Sequence, residues 1–145
     1  MSTVFAYIFH KECARVDSEK MKRVIINLIK NAVDAMPTGG TLTMKNRTLE
    51  KRLEIAISDT GTGIPEETQE KIWQPLFTTK AKGVGLGLCI CKRIVEAHKG
   101  NISVESKVGE GTTFKITFPL EPQLNGGGEI WVKSQKSLLS TTMKA

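Results

Sequence analysis

The most suggestive chemical group in the chain is a carboxylate at the end of a predicted strand. Residues 53–58 alternate leucine or isoleucine with more polar side chains, as in a strand with one buried face. Asp59 follows directly, and Gly61 and Gly63 come shortly after it. An ionised carboxylate only accepts hydrogen bonds, so it could bind an exocyclic amine such as that of adenine, while the glycines allow a close backbone approach. An ordinary turn would use the same residues, so the rest of the chain must decide.

Two asparagines occupy the polar face of a predicted helix. Asp17 or Ser18 is predicted to cap a helix over residues 17–36, whose apolar positions follow an i, i+3, i+4, i+7 pattern, so one face packs on a core. Asn27 and Asn31 lie one turn apart on the opposite face. The same face carries Arg23, Lys30 and Asp34. Asparagine is a mediocre residue for a helix interior, and amide oxygens suit a Mg²⁺ ion that keeps waters and binds nucleotide phosphates. A solvated helix face is the alternative interpretation.

A glycine-rich stretch leads into the second long helical pattern. Residues 74–86 lack periodicity and contain proline, threonine, lysine and glycine, which predicts a loop. Gly83, Gly85 and Gly87 lie at its end, where a helix over 86–97 begins. The backbone N–H groups of such a loop and a helix N-terminus suit anionic phosphates, although the stretch fits a flexible entry to the helix equally well.

In this order and spacing, the segments resemble the conserved boxes of a known family. Residues 27–36, 59–65, 73–80, 83–88 and 109–113 are similar to the N, G1, F, G2 and G3 boxes of the ATP-binding catalytic domain of sensor histidine kinases. That domain belongs to the GHKL superfamily, shared with DNA gyrase, heat-shock chaperones and mismatch-repair ATPases. The resemblance covers roughly residues 14–120, and the joint match is far more specific than any single glycine motif.

The resemblance implies a role for each matching residue. Asp59 is expected to recognise the adenine amine of ATP, and Asn31 with Asn27 to hold Mg²⁺. Gly61 and Gly63 would shape the pocket floor. The predicted nucleotide-binding set is Asn31, Asp59, Gly61, Gly63, Ile64, Phe77, Lys82, Gly83, Gly85, Leu86, Gly87, Leu88 and Thr113. Within this set, Phe77 is interpreted as a lid anchor or as plain core, and Thr113 as an adenine-side contact. The predicted catalytic set is Asn27, Asn31 and Lys80.

The residue at position 27 separates the reactions of this superfamily. In its ATPases, and in the serine kinases that act as anti-sigma factors, a glutamate base lies four residues before the magnesium asparagine, where this chain has Asn27. An amide cannot take a proton from water or serine, whereas a histidine acceptor is mostly neutral at about pH 7 and already nucleophilic. Many members also have a lysine three residues after that asparagine. This chain has Asp34 there, and Lys80 or Lys82 is the expected substitute.

The predicted function is transfer of the ATP γ-phosphoryl group to a histidine on a separate dimerisation domain, of the same or another kinase chain, with a response regulator as an indirect partner. The family's acceptor histidine is followed at once by an acidic residue and later by a proline. Neither His10 nor His98 has these neighbours. Two alternatives stay open: a GHKL ATPase or serine kinase, and a non-catalytic nucleotide-binding interaction module.

The remaining patterns predict the elements that position these residues. Strands are expected at 3–9, 13–16, 41–48, 53–59, 101–106 and 112–119, and helices at 17–36, 66–73 and 86–97. Together they predict an α/β two-layer sandwich, a mixed, mostly antiparallel sheet with helices on one face. The resemblance implies the same Bergerat-type ATP-binding fold. We expect the catalytic domain at 1–120 and a poorly ordered tail or linker at 121–145.

Composition limits the classes of function. The chain has 145 residues, of which 39% are hydrophobic and 25% charged, as in a globular domain. No apolar run approaches the roughly 20 residues that span a bilayer, so no direct membrane contact is predicted. The net charge of +6 is spread along the chain with few aromatics, which argues against nucleic acid and suits a polyphosphate. The three cysteines lack zinc spacing and fit a reducing cytoplasm, and Cys89 and Cys91 lie inside a helical pattern, where buried thiols are expected. A monomer is expected, because dimerisation in the family uses helices that this chain lacks.

Overall fold

An antiparallel sheet with helices on one face forms the described structure. The computed structural model describes residues 16–79, 83–120 and 139–144. The helices are α1 (Ser18–Asp34), α2 (Glu66–Gln69) and α3 (Gly87–Ala97), with a 3₁₀ turn at Lys71–Trp73. The strands are β1 (Thr41–Leu49), β2 (Arg52–Asp59), β3 (Asn101–Lys107), β4 (Gly111–Pro119) and β5 (Leu139–Lys144). Their order in the sheet is β3-β4-β2-β1-β5. The α/β two-layer class is confirmed, but the described pairs are all antiparallel rather than mixed.

Helix α1 is capped where the sequence indicates. The carboxylate of Asp17 accepts hydrogen bonds from the backbone N–H groups of Lys20 (3.2 Å) and Glu19 (3.0 Å), and these bonds lower the pKa of Asp17. The buried stripe of the helix consists of Met21, Val24, Ile25, Leu28 and Ala32. This stripe fixes the rotation of α1 about its axis and leaves Asn27 and Asn31 half-buried beside it.

The two central strands place a single row of side chains towards the helices. In β2 the buried residues are Leu53, Ile55, Ile57 and Asp59, and in β4 they are Thr112, Phe114, Ile116 and Phe118. The register pairs Asp59 with Thr112 and Ser58 with Thr113. Because successive side chains alternate between the two faces, Asp59 shares its face with Thr112, whereas Thr113 lies on the other face.

The sheet has one strand that the sequence does not indicate. Backbone of β5 pairs with β1, with Thr41 opposite Lys144 and Asn46 opposite Leu139, in a segment where we expect a linker or tail. This pairing covers the edge of β1, which would otherwise present unpaired N–H and C=O groups. The strands predicted at 3–9 and 13–16 lie outside the described residues.

The region predicted as one short helix over 66–73 is divided. Helix α2 ends at Gln69, and the 3₁₀ turn at Lys71–Trp73 follows it. Trp73 at the end of that turn stands edge-on to Phe114 of β4, with the ring centroids 6.0 Å apart. The turn therefore packs on the core through one aromatic contact and through Ile72, which is buried.

His98 joins the two long helices at the end away from the asparagines. Its Nδ1 donates a hydrogen bond to the carbonyl oxygen of Ile94 (2.6 Å), and its Nε2 accepts one from the backbone N–H of Asp17 (3.1 Å). This pattern requires the neutral ring with the proton on Nδ1. Both ring nitrogens are therefore used in holding the C-terminus of α3 to the N-terminus of α1.

Over residues 16–79, 83–120 and 139–144, no helix combines the length and apolar character needed to cross a membrane.

A buried amide in β1 generates a testable prediction. Asn46 is 6% exposed, and no group in the described structure donates a hydrogen bond to its Oδ1. An unpaired buried acceptor costs about 1–3 kcal/mol. Asn46→Val should therefore raise the free energy of unfolding by about 1 kcal/mol, since valine needs no partner and suits a strand. Urea unfolding measures the change.

The matched control for this substitution is Asn101→Val. Asn101 is exposed on β3 at the edge of the sheet, so its replacement should change the free energy of unfolding by less than about 0.5 kcal/mol. An Asn46→Val protein that is no more stable than the wild type would contradict the prediction.

Candidate functional site

A cavity of about 700 Å³ lies between α1, the end of β2 and the first turn of α3. This volume is typical of small-molecule and cofactor sites. The predicted site residues that line it are Asn27, Asn31, Asp59, Gly63, Ile64, Phe77, Gly83, Gly85, Leu86, Gly87 and Leu88. The structure thus brings together residues from four separate sequence boxes.

Asp59 is the buried acidic group at one end of the cavity. Its side chain is 8% exposed, and Oδ1 accepts hydrogen bonds from the backbone N–H groups of Gly61 (2.8 Å) and Thr112 (3.3 Å). No described group donates to Oδ2. Burial raises the pKa of Asp59 above the ordinary carboxyl value, and the two N–H donors act in the opposite direction. The carboxylate therefore has one oxygen fixed by the protein and one available to a ligand.

The strand-to-helix turn after Asp59 needs glycine at position 63. Gly63 has φ of +75°, and a Cβ there would collide with the carbonyl oxygen of Lys107. The next residue, Ile64, donates its N–H to Ser106 Oγ (2.7 Å), and its carbonyl oxygen accepts a bond from the side chain of Gln69 (3.0 Å). These contacts hold Ile64 on the cavity wall between Asp59 and β3.

Thr112, rather than the predicted Thr113, lies at the cavity. The Thr112 hydroxyl is 2.7 Å from Ser106 Oγ, and its N–H binds Asp59. The Thr113 hydroxyl is 2.8 Å from Ser58 Oγ on the opposite face of the sheet. Strand alternation explains the difference, because Thr112 has the same parity as the buried Phe114. The alternation of apolar residues along β4 therefore indicates Thr112, rather than Thr113, as the residue that faces the cavity.

The polar face of α1 forms the opposite wall. Asn27, Lys30, Asn31 and Asp34 all line the cavity, at the i, i+3, i+4 and i+7 positions of one face. The amide of Asn27 lies against Gly87, where a Cβ would be 2.8 Å from Asn27 Oδ1. Two hard amide oxygens, a carboxylate and an ammonium group therefore share one wall.

The loop before α3 closes the third side. Gly85 has φ of +71° and its carbonyl oxygen accepts the N–H of Leu76 (2.9 Å). A Cβ on Gly85 would lie 2.5 Å from the backbone of Leu76, so this close approach also requires glycine. Helix α3 then begins at Gly87, and its N-cap residue Leu86 makes no side-chain capping hydrogen bond. Uncapped N–H groups at a helix N-terminus attract anions.

Other predicted residues are placed elsewhere. Gly61 contributes its N–H to Asp59 but does not line the cavity. Lys80 and Lys82 lie outside the described residues. The structure adds apolar wall residues that the motifs did not indicate, namely Ile72 and Phe114. Both belong to alternating or buried core patterns, and such patterns do not distinguish cavity residues from the rest of the core.

Cys89 and Cys91 are both buried on α3, as expected for thiols inside a helical pattern. Burial raises the pKa of the Cys91 thiol to about 11, against a smaller opposing effect of the Asn27 side chain. Cys91 therefore stays a neutral thiol between the two long helices.

Comparison with known proteins identifies the family and the fold of the chain. The family model described as "Histidine kinase-, DNA gyrase B-, and HSP90-like ATPase" matches residues 16–122. Sporulation kinase C of Bacillus subtilis strain 168 is 41% identical over 105 residues, which are 72% of this chain and 24% of that protein. Sporulation kinase A of the same strain is 47% identical over 103 residues, covering 71% and 17%. The chain thus spans a quarter or less of the length of these relatives.

Solved structures give the same result. The nucleotide-free catalytic domain of the histidine kinase ThkA is 36% identical, with a TM-score of 0.65 over 72% of this chain and 69% of that one. ThkA in complex with the response regulator protein TrrA is 33% identical, with a TM-score of 0.61 over 72% of this chain and 30% of that one. The resemblance inferred from the sequence boxes is confirmed, and the chain belongs to the histidine kinase-, DNA gyrase B- and HSP90-like ATPase family as a histidine-kinase ATP-binding catalytic domain.

Proposed function

We propose that this chain binds ATP with Mg²⁺ and transfers the γ-phosphoryl group to a histidine on a separate dimerisation domain, as the catalytic part of a two-component sensor kinase. One observation carries the proposal. A single cavity contains a buried carboxylate at one end, and at the other end two side-chain amides beside an uncapped helix N-terminus. The carboxylate suits a nucleotide base, the two amides suit a cation, and the helix N-terminus suits a polyphosphate.

The base binds at the Asp59 end. Oδ1 of Asp59 is held by two backbone N–H groups, which leaves Oδ2 to accept the exocyclic amine of adenine. Ile64, Ile72 and Phe114 supply apolar surface for the faces of the ring. Thr112 takes the adenine-side position that the motif assigned to Thr113.

The phosphates bind at the α3 end. The first turn of α3 lacks a side-chain cap from its N-cap residue, and the dipole of the helix favours negative charge there. Lys30 supplies a cation on the facing wall of α1. Lys80 or Lys82 remains our candidate for a second cation, in place of the lysine that many family members have where this chain has Asp34.

Asn31 and Asn27 are the proposed ligands of Mg²⁺. Their neutral, hard oxygens would suit a Mg²⁺ ion that is bound together with nucleotide phosphates, and the Asp34 carboxylate adds a further hard oxygen on the same wall. When bound, the ion would offset the negative charge of the phosphates during transfer. The donor set of the cavity therefore fits the cofactor.

The transfer itself needs no base from this chain. A neutral imidazole nitrogen of the acceptor attacks the γ-phosphorus, the bond from that phosphorus to the bridging oxygen breaks, and ADP leaves with the electron pair. The imidazole then loses its ring proton to solvent. Asn27 cannot act as a base, which favours this acceptor over water or serine. His98 is unsuitable as the acceptor, because both its nitrogens bind backbone groups.

The partners follow from the chemistry and from the relatives. The acceptor lies on a histidine-containing dimerisation domain of the same or another chain, and a response regulator receives the phosphoryl group from it. The ThkA structure solved in complex with a response regulator supports a response regulator as a partner. We further propose a cytoplasmic location and a monomeric isolated domain whose sheet includes β5, since β5 pairs with β1.

Base selectivity provides the first test of the nucleotide site. Asp59→Asn should lower the affinity for ATP by about 10- to 100-fold, because a charge-assisted hydrogen bond worth about 1.5–3 kcal/mol is lost. It should not lower the affinity for GTP, whose oxygen at the matching position is repelled by the wild-type carboxylate. Calorimetric titration with both nucleotides, with and without Mg²⁺, measures these changes.

Asp34→Asn is the matched control, since Asp34 is an exposed carboxylate on the α1 wall of the same cavity. It should leave the preference for ATP over GTP unchanged. If Asp59→Asn preserves both the affinity and the preference, Asp59 does not read the base.

The stability of the same variant should depend on pH. Folding raises the pKa of Asp59. Above this raised pKa the ionised carboxylate lowers the free energy of unfolding, and the loss disappears as the pH falls through that pKa and the group becomes protonated. Asp59→Asn should therefore be more stable than the wild type at about pH 7, by a margin that shrinks towards about pH 4, near the ordinary carboxyl pKa. Urea unfolding across this range measures the margin, and a margin that grows on acidification would contradict the assignment.

The reaction is tested with ATP labelled on the γ-phosphate. The chain alone should neither hydrolyse ATP steadily nor label itself, and adding a histidine-containing dimerisation domain from a related sporulation kinase should give an acid-labile, base-stable phosphoprotein. Steady Mg²⁺-dependent hydrolysis, or an acid-stable phosphoserine, would point to the ATPase or serine-kinase alternative. Binding of ADP and ATP alike without transfer would point to an interaction module.

A further inference from the structure

Ser106 of β3 is the centre of a group of hydrogen bonds behind the base end of the cavity. It pairs with Thr112 of β4 in the sheet, so the two side chains lie side by side on the same face. Thr112 and Ile64 line the cavity, whereas Ser106 does not. Ser106 Oγ contacts the backbone N–H of Ile64 (2.7 Å), the Thr112 hydroxyl (2.7 Å) and the carbonyl oxygen of Gly111 (2.9 Å). Ser106 therefore joins β3, β4 and the turn that follows Asp59.

One arrangement of hydrogens satisfies all three contacts. A serine hydroxyl has one hydrogen to donate and two lone pairs that accept. The Ile64 N–H occupies one lone pair, and the Gly111 carbonyl oxygen, which only accepts, receives the hydrogen. The Thr112 hydroxyl must then donate to the second lone pair. The reverse direction would leave the Gly111 oxygen facing Ser106 Oγ with no hydrogen between them.

This arrangement makes the Thr112 hydroxyl an acceptor towards a ligand. Its single hydrogen is used by Ser106, and no other group in the described part of the chain bonds its oxygen. Thr112 also donates its backbone N–H to Oδ1 of Asp59, whose Oδ2 accepts when the carboxylate is ionised. Two neighbouring acceptors suit an NH₂ group, which has two hydrogens, and they disfavour a carbonyl oxygen.

We propose that Ser106 is a positioning residue that contributes to base selectivity by fixing the direction of the Thr112 hydroxyl. Gln69 supports it, because its Nε2 donates to the carbonyl oxygens of Ile64 and Ser106, each at 3.0 Å. The backbone is thus fixed on both sides of the bond from Ile64 to Ser106. The part of this inference that concerns the base rests on the proposed function, whereas the direction of the hydroxyl does not.

The direction of the hydroxyl is tested in the nucleotide-free protein by nuclear magnetic resonance of the Thr112 hydroxyl proton. In the wild type this proton should exchange slowly with solvent, because it is held in a hydrogen bond and Thr112 is buried. Ser106→Ala should speed its exchange and that of the Ile64 amide, while Ser106→Thr, which keeps a hydroxyl, should retain slow exchange.

Ser103→Ala is the matched control for this experiment. Ser103 lies on the same strand but is exposed, and it has the opposite parity to Ser106, so its replacement should leave both protons unchanged. A Thr112 hydroxyl proton that exchanges equally fast in the wild type and in Ser106→Ala would overturn the proposal.

The consequence for the base is tested by titration with ATP and with inosine triphosphate, which has an oxygen in place of the adenine amine. Ser106→Ala should lower the ratio of ATP affinity to inosine triphosphate affinity by about three- to tenfold, the effect of one neutral hydrogen bond. The reason is that the freed Thr112 hydroxyl can turn its hydrogen towards the oxygen. Thr112→Val, which has no acceptor, should lower the ratio to a similar extent, and Ser106→Thr should preserve it.

The double variant separates positioning from a general structural effect. In the Thr112→Val background, Ser106→Ala should leave the affinity ratio unchanged, because the group through which Ser106 acts is already absent. A change in the ratio that persists in this background, or a wild-type ratio in Ser106→Ala, would contradict the positioning role. A wild-type chain that binds neither nucleotide would instead contradict the proposed function, and the exchange experiment would still decide the direction of the hydroxyl.

Discussion

The pairing of β2 with β4 is the constraint on which the site depends. Its register sets Asp59 opposite Thr112, so one backbone N–H from each side of the turn reaches the same carboxylate oxygen. A slip of one residue would turn Asp59 to the outer face of the sheet, because side chains alternate. The register is secured by apolar side chains that face the helices from both strands, namely Leu53, Ile55, Ile57, Phe114, Ile116 and Phe118. Folding and ligand recognition thus rest on one strand pair.

Each of the two long helices packs on the core through its buried side chains and contributes another part of its surface to the site. Helix α1 buries one stripe and presents Asn27 and Asn31 to the cavity, while α3 buries Cys91 and Val95 and presents its N-terminus. A helix that is anchored by buried side chains cannot rotate without losing them, at about 1.5–3 kcal/mol for each large apolar residue exposed. The site geometry is therefore protected by the hydrophobic core rather than by polar contacts alone.

Local patterns predicted most of this arrangement, and long-range geometry accounts for the rest. The Asp17 cap, the polar face of α1 and the loop glycines can be predicted, because each depends on residues only a few positions apart in the sequence. The choice between Thr112 and Thr113 depends on which face of β4 meets the helices, and the contact of Asn27 with Gly87 depends on how two helices cross. Strand β5 was not predicted, because its sequence shows no apolar alternation. Its hydrogen bonds come from β1, which is distant in the sequence, and no local pattern indicates such a pairing.

The bridge through His98 has a consequence for the thermodynamics of binding. It ties the N-terminus of α1 to the C-terminus of α3, and the contact of Asn27 with Gly87 ties the same helices about 15 Å further along α1. Two helices joined at both places move as one body, and the rotamers of the side chains between them are restricted before any ligand arrives. The conformational entropy of ordering this wall is therefore lost during folding rather than during binding, so the wall is preorganised and more of each contact's free energy remains as affinity.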